Sequence, residues 1–173
     1  MKAPVATLPT AASTSKASPS ADSSYLRLSL NATHQVLLPA DYLSEITCLT
    51  LPQIVPIPEV AAQIIGICEW RGETLWLVDL AAHLGHPPLY RLSRRQFDQS
   101  TLVINTQGIH LGLVVYQAHQ IQAYPQGQYL PLSPSAPKSP TESSSAITGY
   151  LAVDGQSPLP ILDGEAIINS FRQ

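Results

Sequence analysis

Gly66-Ile67-Cys68-Glu69-Trp70-Arg71-Gly72-Glu73-Thr74-Leu75-Trp76-Leu77-Val78-Asp79-Leu80 is the stretch that decides how the chain reads. Two apolar runs, residues 64–68 and 74–78, flank one charged corner at 69–73, and the second run stops at Asp79-Leu80. Short apolar runs bounded by turn residues read as buried strands. One strand leads into a tight turn and the next leads out, which would hold Arg71 at a fixed, exposed tip. The pattern has the character of a docking corner on a β scaffold rather than of reaction chemistry.

Outward from this corner the signals are mostly β. Upstream, Tyr25-Leu26-Arg27-Leu28-Ser29-Leu30 alternates apolar and polar with a period of two, and Val36-Leu37-Leu38 is a second apolar run. Asn31-Ala32-Thr33-His34 between them reads as a hairpin connection. Residues 45–51 read as a third extended segment ended by Pro52. Pro56 and Pro58 force an extended loop, and residues 59–63 are expected to make one helical turn. Residues 1–24, rich in Ala, Pro, Ser and Thr, bury too little apolar surface to offset ordering and are expected to be a disordered tail.

Downstream, residues 80–84 predict a short helix closed by Gly85 and followed by Pro87-Pro88. Residues 89–99 read as a mobile connection. Strands are expected at 101–105, 111–115 and 121–124, with Thr106-Gln107-Gly108 as the hairpin turn between the first two. Pro131, Pro134, Pro137 and Pro140 recur at a polyproline II spacing, read here as a solvated loop over 131–146. Ile147-Thr148-Gly149-Tyr150-Leu151 restores order, and Asp154-Gly155 is a hairpin signal. Leu159 and Ile161, beside Pro158 and Pro160, read as an edge strand. Residues 163–170 predict a C-terminal helix. The fold class is therefore mainly β, built of small barrels with short helices.

Composition narrows the function. Of 173 residues 12% are charged, against roughly 25% in an average globular chain, while 45% are apolar. No apolar run approaches the roughly 18 residues that span a bilayer, so direct membrane insertion is not expected. A large interior or a surface that binds other proteins would account for the balance. The net charge is −3, from 9 basic and 12 acidic residues, with no basic run beyond Arg91 and Arg94-Arg95, so nucleic-acid binding is not expected. Cys48 and Cys68 sit in apolar stretches and are expected to be buried, reduced thiols. The amino-terminal segment lacks the apolar core of a secretory signal, which points to the cytoplasm.

The residues offer little for catalysis. His83 and His86 lie near Asp79, but Gly85 and Pro87-Pro88 interrupt the helix that would align them, and no paired-cysteine or H-E-x-x-H pattern occurs. His110 and His119 read as outward-facing strand positions. No nucleophile elbow, phosphate loop or dinucleotide fingerprint is present. Glu69 and Glu73 flank Arg71, where the opposite charge would keep them ionised and orienting rather than acid–base active. Cys68 has no assignable activating histidine. No enzyme, metal or cofactor is expected. A second reading, from another class, is a small-molecule-binding β-barrel whose apolar pocket Trp70, Trp76 and Tyr150 would line. Against it, the same aromatics would simply fill barrel cores.

Taken in order, these motifs resemble the CheW-like family of chemotaxis coupling domains. Gly66 to Gly72 followed by Leu75-Trp76-Leu77-Val78-Asp79-Leu80 is similar to that family's strand, Arg-Gly corner, second strand and Asp-Leu. Tyr42-Leu43-Ser44-Glu45-Ile46 resembles its Val-x-Glu-Val segment, Pro56-Ile57-Pro58 its proline loop, and Leu111-Gly112-Leu113-Val114-Val115 its Gly-Leu-Leu-Val strand. The stretch from Ile147-Thr148-Gly149 through Asp154-Gly155 to Ile161-Leu162-Asp163 resembles its closing hairpin and helix start. The likeness covers residues 25–172.

The resemblance implies two small five-stranded SH3-like β-barrels around a shared hydrophobic interface. It implies no catalytic activity, and an adaptor that bridges the regulatory domain of a CheA-type histidine kinase and the cytoplasmic tip of a methyl-accepting receptor. The receptor groove would lie between the barrels beside the Arg-Gly corner. Arg71 would anchor that side, Glu45 would hold its guanidinium, and Gly72 would let the chain turn, with Trp70 and Glu69 completing the partner-binding set. Asp79 would cap the following helix, and Gly66 and Gly149 would serve the fold. Glu69 stands where the family usually has Asn, Trp76 where Pro is frequent, and Tyr116 where Asp commonly ends a strand. These departures, with the long 131–146 loop, fit a divergent member of a phototaxis or pilus-motility (twitching) system. Such an adaptor would be cytoplasmic and recruited to membrane receptor assemblies.

Overall fold

The computed structural model describes residues 23–89, 99–132, 145–153, 155 and 157–172. Residues 1–22 of the expected 1–24 tail, 90–98 of the 89–99 connection, 133–144 of the 131–146 loop and Asp154 of the Asp154-Gly155 hairpin signal lie outside the described residues.

β1 (Ser23–Ser29) and β2 (Gln35–Pro39) pair antiparallel through the connection read at residues 31–34. Asn31 closes that turn with its own side chain, Oδ1 accepting from the backbone N–H groups of Thr33 and His34 at 2.9 Å each. β1 begins two residues before the expected Tyr25, because Ser23 and Ser24 already pair with Tyr124 and Ala123. β3 (Leu43–Leu49), β4 (Ile64–Trp70), β5 (Glu73–Asp79), β6 (Gln99–Thr106) and β7 (Ile109–Val115) follow, with α1 (Leu80–His83) after β5. β8 (Gln117–Tyr124), β9 (Tyr129–Pro131), β10 (Ile147–Leu151), β11 (Leu159–Leu162) and α2 (Gly164–Ser170) follow among the described residues.

The strands form two sheets. The first has six strands in the order β8-β1-β2-β11-β10-β9, and the second has five in the order β3-β6-β7-β5-β4. The mainly β, two-unit architecture is the expected one. Its hydrogen-bonded ladders are open at their edges, and β9 adds a sixth strand to the first. The shared interface is the largest core. Leu26, Leu28, Val36 and Leu38 of the first sheet meet Val78, Leu102, Ile104, Leu113 and Val115 of the second, with Leu80, Ala81 and Leu84 around α1 and Ile167 and Ile168 of α2. Each sheet also holds a smaller core on its other face: Leu49, Cys68, Leu75, Leu77, Val103 and Val114 in the second, and Tyr25, Leu37, Leu151, Leu159 and Ile161 in the first. Strands such as β7 are thus buried on both faces, which is why Leu111-Gly112-Leu113-Val114-Val115 reads as one apolar run.

Three expectations are corrected. Residues 59–63 form turns rather than a helical turn, with Glu59 at φ 59°. Val55 is tied to Ile67 by two backbone hydrogen bonds of 2.8 and 2.9 Å, so the chain must double back within a few residues to enter β4. A short 3-10 turn forms earlier, at Leu51–Gln53. β11 is not an edge strand but lies between β2 and β10. Its prolines are tolerated because the parallel pairing with β2 extends to one register pair, Ile161 with Leu37. Finally, Cys48 is exposed while Cys68 is buried. Leu43, Glu45, Thr47 and Leu49 take the inner face of β3, which turns Ile46 and Cys48 outward.

Thr101 is a polar residue with no exposure in the second sheet, and its hydroxyl meets no hydrogen-bond partner. Burying an unpaired hydroxyl is unfavourable. Thr101→Val, which keeps the shape and removes the hydroxyl, is expected to stabilise the protein by about 1 kcal/mol. In a thermal melt this reads as a rise of about 2–4 °C. A lower midpoint would mean that the hydroxyl is satisfied in solution.

Candidate functional site

The β4–β5 hairpin pairs Trp70 with Glu73, leaving Arg71 and Gly72 as a two-residue loop. Both take positive φ, 52° and 81°, the geometry whose twist matches that of the flanking strands. Arginine is placed in this left-handed conformation at a cost of about 1 kcal/mol relative to glycine. Local contacts offset it: the Gly72 N–H donates to Glu69 Oε1 at 2.7 Å, closing the turn from within.

Arg71 Nη2 donates to Glu45 Oε2 at 2.7 Å, and Trp70 Nε1 donates to the same oxygen at 3.2 Å. The Arg71 guanidinium also sits 4.9 Å from the Trp70 ring centroid, within cation–π range. Trp70 in turn packs 4.9 Å from the His110 ring, and His110 Nε2 lies 2.7 Å from the Asn105 side-chain amide. β3 and β4 are the two outer strands of the second sheet, yet Glu45 on one meets Trp70 on the other. The sheet therefore curls until its edges approach at this corner, in barrel fashion.

The Arg71 side chain remains 68% exposed and Glu45 34% exposed. An ion pair this open adds little to stability. Its physical effect is orientation: the guanidinium is fixed by a carboxylate and an indole while most of its donors stay available. Arg71, Glu45, Gly72, Trp70 and Glu69 are thus brought together at one exposed rim.

Beside the rim runs an apolar groove of about 450 Å³, bounded by Ile64, Trp76, Val78, Leu111, Ile168 and Phe171. His110 lines it as well, linking the groove to the corner through Trp70. Trp76 is 43% exposed there. The groove thus runs along the junction of the second sheet and the C-terminal helix. Trp70 and Tyr150 do not line it, so the three aromatics considered from sequence for an apolar pocket do not converge. The contributions of His110, Ile168 and Phe171 escaped the sequence reading. They come from two distant places in the chain, β7 and the C-terminal helix with its cap, and carry no local signal beyond helical spacing at Phe171.

Of the remaining positions, Asp79 is fully buried, its Oδ1 accepting from Ala82 N–H (3.0 Å) and its Oδ2 from Leu89 N–H (2.6 Å). Gly66 takes φ 154° against the Val55 carbonyl, and Gly149 lies under Tyr129 and the Leu130 carbonyl. Burial, and secondarily the Glu69 charge, push the Cys68 thiol upward, away from the thiolate a nucleophile needs. Burial holds His83 below the usual histidine range, and burial together with the neighbouring His34 does the same for His86. Among the described residues no group of three His, Cys, Asp or Glu side chains is placed to hold a metal ion. Among them no helix is long and apolar enough to cross a membrane.

A family model described as the CheW-like domain matches residues 25–172 of this chain. Among solved structures the chain is similar to the scaffolding protein TtCheW from Thermoanaerobacter tengcongensis. The match has 20% sequence identity and a TM-score of 0.67, and covers 82% of this chain and 89% of that one. At this identity the likeness speaks to the fold. No curated protein matches.

Proposed function

The chain belongs to the CheW-like domain family, and from that premise we propose that it is a non-enzymatic adaptor in a chemotaxis-like pathway. It couples the cytoplasmic tip of a methyl-accepting receptor to the regulatory domain of a CheA-type histidine kinase. The observation that carries this reading is the corner itself: an exposed arginine, fixed by Glu45 and Trp70, beside an apolar groove. A planar guanidinium held this way meets a partner's carbonyl or carboxylate with little further ordering. The groove offers the adjoining apolar seat, with Trp76 as its exposed aromatic. Glu69, Trp76 and Tyr116, where the family pattern differs, favour a divergent pathway such as phototaxis or pilus-driven twitching. In that setting the adaptor is a cytoplasmic protein recruited to receptor assemblies at the membrane.

The experiment is a pair of separate titrations, one against the receptor tip and one against the kinase regulatory domain. Saturable binding to both supports the adaptor, and no binding to either at micromolar protein removes it. Arg71→Ala is expected to weaken receptor binding by at least tenfold, the scale of an interfacial arginine. It is expected to shift the unfolding midpoint little, because the ion pair it breaks is open to solvent. A variant that fails to fold would make Arg71 a structural residue.

A further inference from the structure

The two faces of β1 differ. Leu26 and Leu28 enter the shared core, whereas Tyr25, Arg27 and Ser29 point to the opposite face. Their register partners on that face are Pro39, Leu37 and Gln35 of β2, with Gln122 and Gln117 of β8 beside Tyr25 and Ser29. Part of this face is closed by the cluster of Tyr25, Leu37, Leu151, Leu159 and Ile161. The rest is a pocket of about 560 Å³ of different chemistry, bounded by Arg27, Gln35, Gln117, His119, Gln120 and Gln122, with Ala118 as the one apolar wall among the described residues.

Arg27 is the unusual member. Its Nε is buried and meets no acceptor, and its one bond to a described residue runs from Nη2 to Tyr124 Oη at 3.1 Å. That phenol is itself committed, donating to Gln122 Oε1 at 2.8 Å. The ion pair among the described residues is at Arg71, not here. A guanidinium drawn inward without a carboxylate is rare, because its charge and its donors both lose hydration.

The strand opposite is shaped around it. Between the pairs Leu26 with Ile121 and Leu28 with Ala118 the register shifts, so that His119 and Gln120 together face Arg27. A bulge of this kind re-aims a side chain. His119 Nε2 lies 2.8 Å from the hydroxyl of the buried Ser29, which Gln35 also reaches at 3.4 Å.

We infer that this pocket binds a small organic carboxylate. The guanidinium supplies a planar fork that matches two carboxylate oxygens. The glutamine amides offer both donors and acceptors to a hydroxyl or carbonyl on the same ligand. Among the described residues no Asp or Glu lines the pocket to compete with an anion. The volume lies in the small-molecule range of about 300–1,000 Å³. The inference does not rest on the adaptor reading: the pocket is in the first sheet and the corner in the second. If both hold, the adaptor carries a metabolite input of its own.

The test follows Arg27 Nε–H and the side-chain amides of Gln35, Gln117, Gln120 and Gln122 by nuclear magnetic resonance. Malate is titrated into the full chain, with chloride at matched ionic strength and inorganic phosphate as parallel arms. Saturable shifts at these groups are expected with malate below about 10 mM, the weak end of specific small-ligand affinity. Arg27→Gln is expected to weaken the effect at least tenfold, the scale of a charged hydrogen bond. Arg27→Lys, which keeps the charge and loses the fork, should fall between. If Arg27→Gln does not fold, Gln122→Leu provides the comparison and should weaken malate binding. Shifts that are the same with chloride, or unchanged in the variants, overturn the site. Saturation by phosphate but not malate overturns the carboxylate assignment.

Discussion

Alanine at Gly66 is expected to destabilise the protein by about 3–5 kcal/mol, the sum of backbone strain and overpacking. Gly66 holds φ 154° at a register shift in β4, and an added Cβ would be driven into the Val55 carbonyl. That oxygen already accepts the Ile67 N–H at 2.9 Å, so neither backbone can retreat without breaking the bridge. Gly72→Ala is the control. Its φ is also positive, but nothing lies within 4 Å of the added carbon, so it should lose about 1 kcal/mol from strain alone. Chemical denaturation of the pair separates collision from strain. Equal losses would mean that the Val55 contact gives way.

Asp79→Ala is expected to lower stability by about 3 kcal/mol through loss of a helix cap and of a charged, buried hydrogen bond. The carboxylate spans two jobs: Oδ1 caps α1 at Ala82, and Oδ2 receives the N–H of Leu89, itself 4% exposed. Alanine leaves that buried N–H without this acceptor. A melting point lower by about 6–12 °C is the corresponding reading for a chain of this size. Asp79→Asn retains one acceptor oxygen and should fall between. An asparagine variant as unstable as alanine would show that charge, not hydrogen-bond count, governs the position.

The corner was legible because its determinants are local. Two apolar runs, an Arg-Gly pair and a terminal Asp specify strand, two-residue turn, strand and cap without reference to the rest of the chain. The hairpin at Gln107 and Gly108 was legible for the same reason, both residues taking positive φ. Where sequence reasoning failed, distant partners had overruled local preference. Pro158 and Pro160 argued for an edge, but β2 supplies β11 with a neighbour from the far end of the chain. Ile46 and Cys48 are apolar, yet the face of β3 is chosen by Leu43 and Leu49 and by the need of Glu45 to reach Trp70. The groove was invisible because its walls meet only after β4, β5, β7 and α2 have packed. The Arg27 pocket depends on a bulge that no spacing in the sequence marks.

The order of strands also bears on how the molecule is made. All five strands of the second sheet come from one unbroken stretch, lodged between β2 and β8 of the first. As the chain leaves the ribosome, the inner unit has every partner it needs well before the outer one does. β1 and β2 must stay unclosed on one side until β8 and β11 have been synthesised, with Leu37 waiting for Ile161. Such long-range closure is slow and leaves strand edges open to wrong partners in the interval. Assembly is therefore staged: a middle that matures early, then an enclosing half that β8 to β11 finish.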